Sequence, residues 1–327
     1  MPSPDISSQP LPFRKYKRQE FKLEQCVECG KCFMNCPVLH LTHKKAKEAR
    51  IGLRLYSENP KNATELVNNI LQECTSCMTC DLVCPNECTP SNLIFSIWET
   101  VYKKVGLPMR AKYFLPHSDP NFRTFVIQRF DEIDKKTVES WKDLSPSQSG
   151  EIFYPGCNLI TTPYLTYSKL FEGLDIRGAL EYCCGEMYFR MGLSEQLEQV
   201  AQKNTEYFKD KLNVKKVYML CTAGLNMFTN ILPQYGADFS GINFISYLEI
   251  LYKQLKSGDL PIIKSFKGKT ITIQDSCHTK VLEENYYTWP RKILKILGFE
   301  IIEAPHNKQS MLCCGIGSGF SHSSAYK

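Results

Sequence analysis

Two stretches of this chain, Cys26-Val-Glu-Cys29-Gly-Lys-Cys32-Phe-Met-Asn-Cys36-Pro37 and Cys74-Thr-Ser-Cys77-Met-Thr-Cys80-Asp-Leu-Val-Cys84-Pro85, repeat one spacing position for position. Both read C-x2-C-x2-C-x3-C-P. This constrains the fold more than anything else in the sequence, because it wraps three thiolates around one face of an iron–sulfur cube and sends the fourth toward a second cube. One run therefore predicts another, and the other is present. C-x2-C alone is also common at structural zinc sites, but two matched quartets, each closed by Cys-Pro, favour a pair of clusters.

The segment between the quartets is expected to be helical, over His43–Tyr56 and again from Glu65 to Cys74. Asn62 followed by Glu65 reads as a capping-box start for the second helix. Leu66, Val67, Ile70, Leu71 and Cys74 recur on one of its faces, which puts the first thiol of the second quartet on the apolar side. Helix continues over Ile94–Lys104 and is stopped by Gly106-Leu-Pro108. Cys88 falls outside the quartet spacing and reads as a buried structural thiol.

From residue 151 the pattern becomes strand, turn, helix. Ile152–Tyr154 leads into Pro155-Gly156-Cys157, Lys216–Leu220 into Cys221, and Thr270–Gln274 into Asp275-Ser276-Cys277. Alternating strands and helices predict an α/β domain with a largely parallel sheet, in which ligands gather at the carboxyl ends of the strands. Three strand-end cysteines would then face one another. Ser194 is expected to cap an intervening helix with Leu197, Val200, Ala201 and Phe208 on its buried side. Cys183-Cys184-Gly185 and Cys313-Cys314-Gly315 each follow a strand-end cysteine, which is the mark of an internal duplication. Adjacent thiolates on a turn can reach two metals of one cluster, and glycine lets the backbone come close. The stretch Gly315–Gly319 lacks the lysine and the strand-before, helix-after context of a phosphate loop.

Sixteen cysteines among 327 residues would suggest disulfides in a secreted chain. Here they fall in metal-spaced groups behind a first segment with no apolar export region, so a reducing, cytoplasmic setting is expected. The composition, 43% hydrophobic and 23% charged, is that of ordinary globular material. Apolar runs such as Leu93–Trp98 are far too short to span a membrane, leaving peripheral contact at the inner membrane face through a partner. A net charge of +6, with a basic cluster at Arg14–Arg18, reads as a solvated arm rather than a nucleic-acid site.

The phrases Phe-Tyr-Pro-Gly-Cys157, Cys-Cys-Gly185, Asp-Ser-Cys-His278, Trp-Pro-Arg-Lys-Ile-Leu294 and Cys-Cys-Gly315 resemble the cysteine-rich (CCG) domains of heterodisulfide reductase-like iron–sulfur subunits. The quartets with their long helical insert resemble the α-helical ferredoxins of the same proteins and of succinate dehydrogenase-type subunits. The order is that of the fused, D-type subunit. The implied fold is an α-helical ferredoxin domain followed by an α/β domain made of two CCG repeats. The expected boundaries are a flexible basic arm at 1–20, ferredoxin at 21–105, a linker with some helix near Val126–Lys136 at 106–150, and CCG at 151–327. The repeats would span about 151–245 and 268–327, the second apparently lacking its C-terminal end.

The resemblance implies Cys26, Cys29, Cys32 and Cys84 as ligands of one 4Fe-4S cluster, and Cys74, Cys77, Cys80 and Cys36 as ligands of the other. A full CCG unit in this family carries five cysteines, ending in C-x2-C, around a non-cubane iron–sulfur cluster. Here Cys157, Cys183, Cys184 and Cys221 match, but Gly224 stands at the fifth position. Four thiolates suit zinc or an iron–sulfur cluster equally. In the second unit Cys277, Cys313 and Cys314 match, and this incomplete set is the candidate catalytic centre. His278 reads as a supporting residue rather than a ligand. The implied function is electron relay through two 4Fe-4S clusters to a CCG-domain metal site that reduces a disulfide. The alternative is a non-catalytic electron-transfer subunit of a glycerol-3-phosphate, glycolate, lactate or succinate dehydrogenase-type complex. Implied partners are a flavoprotein or other redox subunits, with a quinone or a disulfide as substrate.

Overall fold

The computed structural model describes residues 20–107 and 109–315, and the basic cluster Arg14–Arg18 and the stretch beyond Gly315 lie outside them. The described chain falls into two units, one comprising residues 20–114, 187–194 and 305–315 and the other residues 115–186 and 195–304.

In the first unit the duplication is visible in the backbone. Helical turn α1 (Lys31–Met34) precedes helix α2 (His43–Glu58) and helix α3 (Glu65–Glu73), after which turn α4 (Thr79–Leu82) repeats α1 and helix α5 (Pro90–Val105) repeats α2. Glu28 and Gly30 have φ of 52° and 75°, and Ser76 and Met78, at the same positions of the second quartet, have 49° and 60°. Two left-handed residues in each loop let it curl its thiols inward. Glycine is needed only at Gly30, where an added Cβ would lie 2.6 Å from the backbone nitrogen of Lys47.

Helix α2 starts at Thr42, whose hydroxyl accepts from the Lys45 amide at 3.5 Å. It buries Ala46, Ala49, Arg50 and Leu53 along one stripe. Helix α3 is capped by Thr64, which accepts from the Val67 amide at 3.2 Å, and not by Asn62. Asn62 instead donates to the Leu55 carbonyl at 3.0 Å, so the expected capping box does not form. Val67 and Ile70 are fully buried on α3, each contributing about 1.5–3 kcal/mol. Helix α5 opens with Pro90 at its first position and ends at Gly106, where φ is 77°. Its Phe95 meets Phe189 edge-on at 5.5 Å. A last helix, α6 (Met109–Phe114), closes this stretch of the unit.

The second unit takes in most of the segment expected to be a linker. Two helices there, α7 (Phe122–Ile127) and α8 (Glu132–Ser140), are separated because Asn121 and Asp131 each cap a new start. Val138 and Trp141 are buried with Ile160, so this segment forms part of a core. The sheet is parallel throughout, with β1 (Glu151–Phe153), β2 (Lys216–Met219) and β3 (Asn243–Ser246) in that spatial order. Strand β3 is not expected from the sequence, and the third expected strand is shorter than its β-rich run. That strand, β4 (Thr270–Ile271), pairs in parallel with β5 (Glu300–Ile301) in a separate two-stranded sheet. Helix α9 (Gly156–Ile160) follows β1, and after the first Cys-Cys-Gly comes the turn α10 (Glu186–Arg190), whose residues from 187 onward belong to the first unit, as does Ser194. Helix α11 (Ser194–Thr205) buries Leu197, Val200 and Ala201, as expected, and Phe208 just beyond it is also buried. The Ser194 hydroxyl, however, donates to Glu99 at 2.8 Å. Helices α12 (Thr222–Asn226), α13 (Tyr247–Ser257) and α14 (Asn285–Ile296) complete the unit. Its aromatic core joins Tyr154, Phe208, Phe228 and Phe244 at centroid separations of 5.0–5.6 Å.

Candidate metal centres

In the first unit the two quartets exchange their fourth cysteines. One small cavity is lined by Cys26, Cys29 and Cys32 together with Cys84, and a second by Cys74, Cys77 and Cys80 together with Cys36. The exchange follows from the Cys-Pro steps, since Pro37 and Pro85 turn the chain after each crossing thiol. Cys32 also borders the second cavity, and Cys88 lines the first. Cys88 is 1% exposed, and its thiol donates to the Asn86 carbonyl.

These thiols sit where ionisation is disfavoured. Burial pushes Cys32 up to about 12, and burial is also the main cause that raises Cys74 and Cys80. Such a group becomes a thiolate only when nearby cationic charge offsets its desolvation. Iron supplies that charge, so the donor set fits an iron–sulfur group. Only one basic side chain lines either cavity among the described residues. Arg50, in the first, donates from Nε to the Cys26 sulfur at 3.2 Å.

In the second unit the loops that follow the strands come together. Cys157 opens α9 directly after Gly156, whose φ is 61°. Cys221 is the residue that starts α12. Cys183 and Cys184 precede Gly185, with φ of 75°. Tyr154 fixes that turn by donating to the Tyr182 carbonyl at 2.7 Å, and the Asn204 amide donates to the Cys183 carbonyl at 3.4 Å. The neighbouring Cys183 thiol, with burial, pushes Cys157 well above its ordinary value, and burial pushes Cys221 up to about 11. Arg123 is buried over the Phe122 ring at 4.3 Å, and its guanidinium hydrogen-bonds the Cys157 thiol.

Cys277 belongs to the same convergence. Thr222, next to Cys221, donates to the Ser276 hydroxyl at 2.8 Å. His278 Nε2 lies 3.1 Å from Oε1 of Glu186, two residues past Cys184. Hydrogen bonds thus link the loops that carry Cys184, Cys221 and Cys277, although β4 lies outside the main sheet. Cys313 and Cys314 fall in the other unit from Cys277. Cys313 accepts from the Gly315 amide at 3.3 Å, Gly315 has φ of 79°, and Cys314 is exposed.

Among the described residues, no group of three or more His, Cys, Asp and Glu side chains closes on a single metal ion. Gly224, in place of a fifth cysteine, is buried on α12, and a Cβ there would lie 2.7 Å from the Met219 methyl. Arg50, Arg123 and Glu186 are not among the residues expected from the sequence. Arg50 carries a signal there, a cation at i+1 and i+4 from Ala49 and Ala46 within the apolar stripe of a helix. Arg123 and Glu186 carry none, because only the tertiary fold brings them to cysteines distant in sequence.

Comparison with known proteins identifies two domain families along the chain. A 4Fe-4S dicluster domain model matches residues 22–88, and a cysteine-rich (CCG) domain model matches residues 152–228 and 271–325. The chain is 25% identical to EtfAB:quinone oxidoreductase of Syntrophomonas wolfei, over 91% of its own length and 48% of that protein's. It is 23% identical to a subunit of the dihydromethanophenazine:CoB–CoM heterodisulfide reductase of Methanosarcina mazei, over 92% and 80% of the respective lengths. It is 24% identical to a subunit of the CoM/CoB fumarate reductase of Methanothermobacter marburgensis, over 91% and 60%. The chain therefore spans about half the length of the first of these relatives. No solved structure matches it. No helix among the described residues is long and apolar enough to cross a membrane.

Proposed function

Because the chain belongs with the heterodisulfide reductase-like iron–sulfur proteins, a dicluster domain followed by cysteine-rich domains, we propose that it is the electron-relaying subunit of a redox complex. Cys26, Cys29, Cys32 and Cys84 hold one 4Fe-4S cluster, and Cys74, Cys77, Cys80 and Cys36 hold the other. When bound, these clusters supply one-electron carriers. The observation that carries the reading is the exchange of Cys36 and Cys84 between the two cavities, which a pair of independent zinc sites would not need. Anaerobically purified protein is expected to carry about eight iron atoms in cubane-type clusters, four per cluster. Replacing Cys36 or Cys84 by alanine should disturb one EPR signal each. Zinc in place of iron in this domain would end the proposal.

The electrons pass on to a metal centre in the CCG domain. Cys157, Cys183, Cys184 and Cys221 hold it, with Arg123 and the Ser276–Cys277 loop around them. Four thiolates suit zinc or an iron–sulfur group, and iron and zinc analysis of the purified protein decides which is held. The Cys313-Cys314 pair is the candidate thiol centre at which a disulfide is reduced, taking two electrons and two protons to give two thiols. A flavoprotein subunit supplies the electrons. Unchanged disulfide turnover in Cys313→Ser would remove this catalytic assignment.

A second reading has a specific observation behind it. Gly224 leaves the first CCG unit without a fifth thiolate, and the Met219 methyl occupies the space beside it. On that basis the CCG domain is a docking and relay module that hands electrons to or from a quinone-linked partner. Iron analysis separates the two. Iron well beyond the dicluster complement, with a new signal on adding thiol, supports catalysis, whereas zinc with ferredoxin-type signals alone supports the relay.

A further inference from the structure

The buried stripe of α2 contains a charge. Ala46, Ala49 and Leu53 have no exposed surface, and Arg50 lies among them at 2% exposure. Burying a guanidinium is costly unless its N–H groups find acceptors. The Nε group finds the Cys26 sulfur, and the Phe21 ring lies 4.7 Å from the guanidinium carbon as a cation–π partner. Nη1 and Nη2 are buried and have no hydrogen-bond partner among the described residues. Arg50 lines the cavity shared by Cys26, Cys29, Cys32 and Cys84, and the other charged residue in that lining, Glu28, is paired with Arg54 at 2.6 Å.

The second cavity is built differently. No charged side chain lines it among the described residues. Carrying the quartet alignment forward puts Trp98 of α5 opposite Arg50 of α2. Trp98 is neutral, and its N–H is given to the Leu71 carbonyl at 3.0 Å. Two side chains of opposite charge touch that loop. Asp81 faces the Cys80 sulfur at 3.6 Å, and its carboxylate accepts from the Ser91 amide at 2.8 Å and the Ser91 hydroxyl at 2.6 Å. Arg190 donates to the Ser76 carbonyl.

We propose that Arg50 is a potential-setting residue, donating through Nη1 and Nη2 to sulfur of the cluster held by Cys26, Cys29, Cys32 and Cys84, and so making that cluster the more easily reduced of the pair. The inference rests on the reading of those four cysteines as ligands. A net anionic cluster presents several sulfur acceptors, which is what two idle buried donors require. Reduction adds one electron to it, and a fixed cation in a low-dielectric pocket stabilises the added charge. The same residue thereby gives two otherwise matched sites different potentials.

The test is an EPR-monitored redox titration of the full chain carrying Arg50→Gln or Arg50→Lys, with iron and acid-labile sulfide counted in each. In Arg50→Gln one signal should become about tenfold harder to reduce, or 59 mV for one electron, while the other stays put. Arg50→Lys keeps the charge but loses the planar fork and should fall between. Unchanged potentials in loaded Arg50→Gln overturn the proposal. Loss of both clusters in both variants also overturns it, as the mark of a residue that only holds α2 in place. Failure of the ligand reading looks different, because Cys26→Ala with Cys29→Ala would then leave both signals intact in a chain that retains Arg50.

Discussion

Arg291 grips Asp275 with both terminal nitrogens, Nη1 to Oδ1 at 2.8 Å and Nη2 to Oδ2 at 2.7 Å, and reaches Glu303 at 2.7 and 2.8 Å from Nε and Nη2. Two phrases far apart in the sequence, Asp275-Ser-Cys-His and Trp-Pro-Arg291, are thus the halves of one buried ion pair that anchors the Cys277 loop. Removing one partner from such a pair strands the other. Asp275→Ala is expected to cost about 3–5 kcal/mol, whereas Asp275→Leu combined with Arg291→Met should cost much less. Denaturant unfolding checks both, and a single-variant loss below about 1 kcal/mol would mean the pair behaves like an exposed one.

Gly30 makes the first cluster loop intolerant of a side chain. Its φ is 75°, and the atoms a Cβ would meet, Lys47 N at 2.6 Å and Ala46 C at 2.7 Å, are backbone that cannot turn aside. Gly30→Ala should therefore lose one cluster, seen as about half the dicluster iron. Gly258 is the control, with φ of 86° and open space around it. Gly258→Ala should cost only the left-handed penalty of about 1–2 kcal/mol and leave iron content unchanged.

Arg123 faces the thiols of the CCG centre, so Arg123→Met keeps the packing on Phe122 while removing the charge. Groups that orient or polarise metal ligands typically account for about 10–100-fold in affinity. Competition with a chelator should reveal a loss of that size at the CCG centre only, and equal metal retention in wild type and variant would remove Arg123 from the site.

Cluster removal should unfold the first unit in part. Turns α1 and α4 are four residues each, too short to persist alone, and on the proposed reading the thiols of the two quartets beside them are held together by the clusters. Chelation under oxidising conditions is expected to lower the melting temperature and the far-ultraviolet helix signal together, in step with iron loss. Iron loss with an unchanged melting curve would contradict this.

The parts of the structure that can be read in the sequence are those written in local spacing. The quartets, α2, α5, β1 and β2 all appear close to where periodicity and punctuation put them. Helix α3 is equally legible, but its cap is Thr64 rather than Asn62, because both are good caps and only the backbone decides which side chain reaches Val67. Strand β3 escapes notice since Asn243–Ser246 is short and runs straight into a helix. The segment 106–150 looks featureless because its buried anchors, Val138 and Trp141, are isolated in sequence and find partners such as Ile160 only in the fold. The charged residues at the centres are hidden for the same reason.

Residues 187–194 have a practical consequence. They belong with the first unit, where Phe189 packs on Phe95, Gly192 abuts the Phe95 carbonyl and Arg190 ties down Ser76. A ferredoxin fragment cut after residue 114 would be missing a piece of its own wall, encoded downstream of Cys184. The segment that matches a dicluster domain and the body that must fold around the clusters are therefore different objects. Any attempt to transplant this relay into another protein would have to supply that wall from elsewhere.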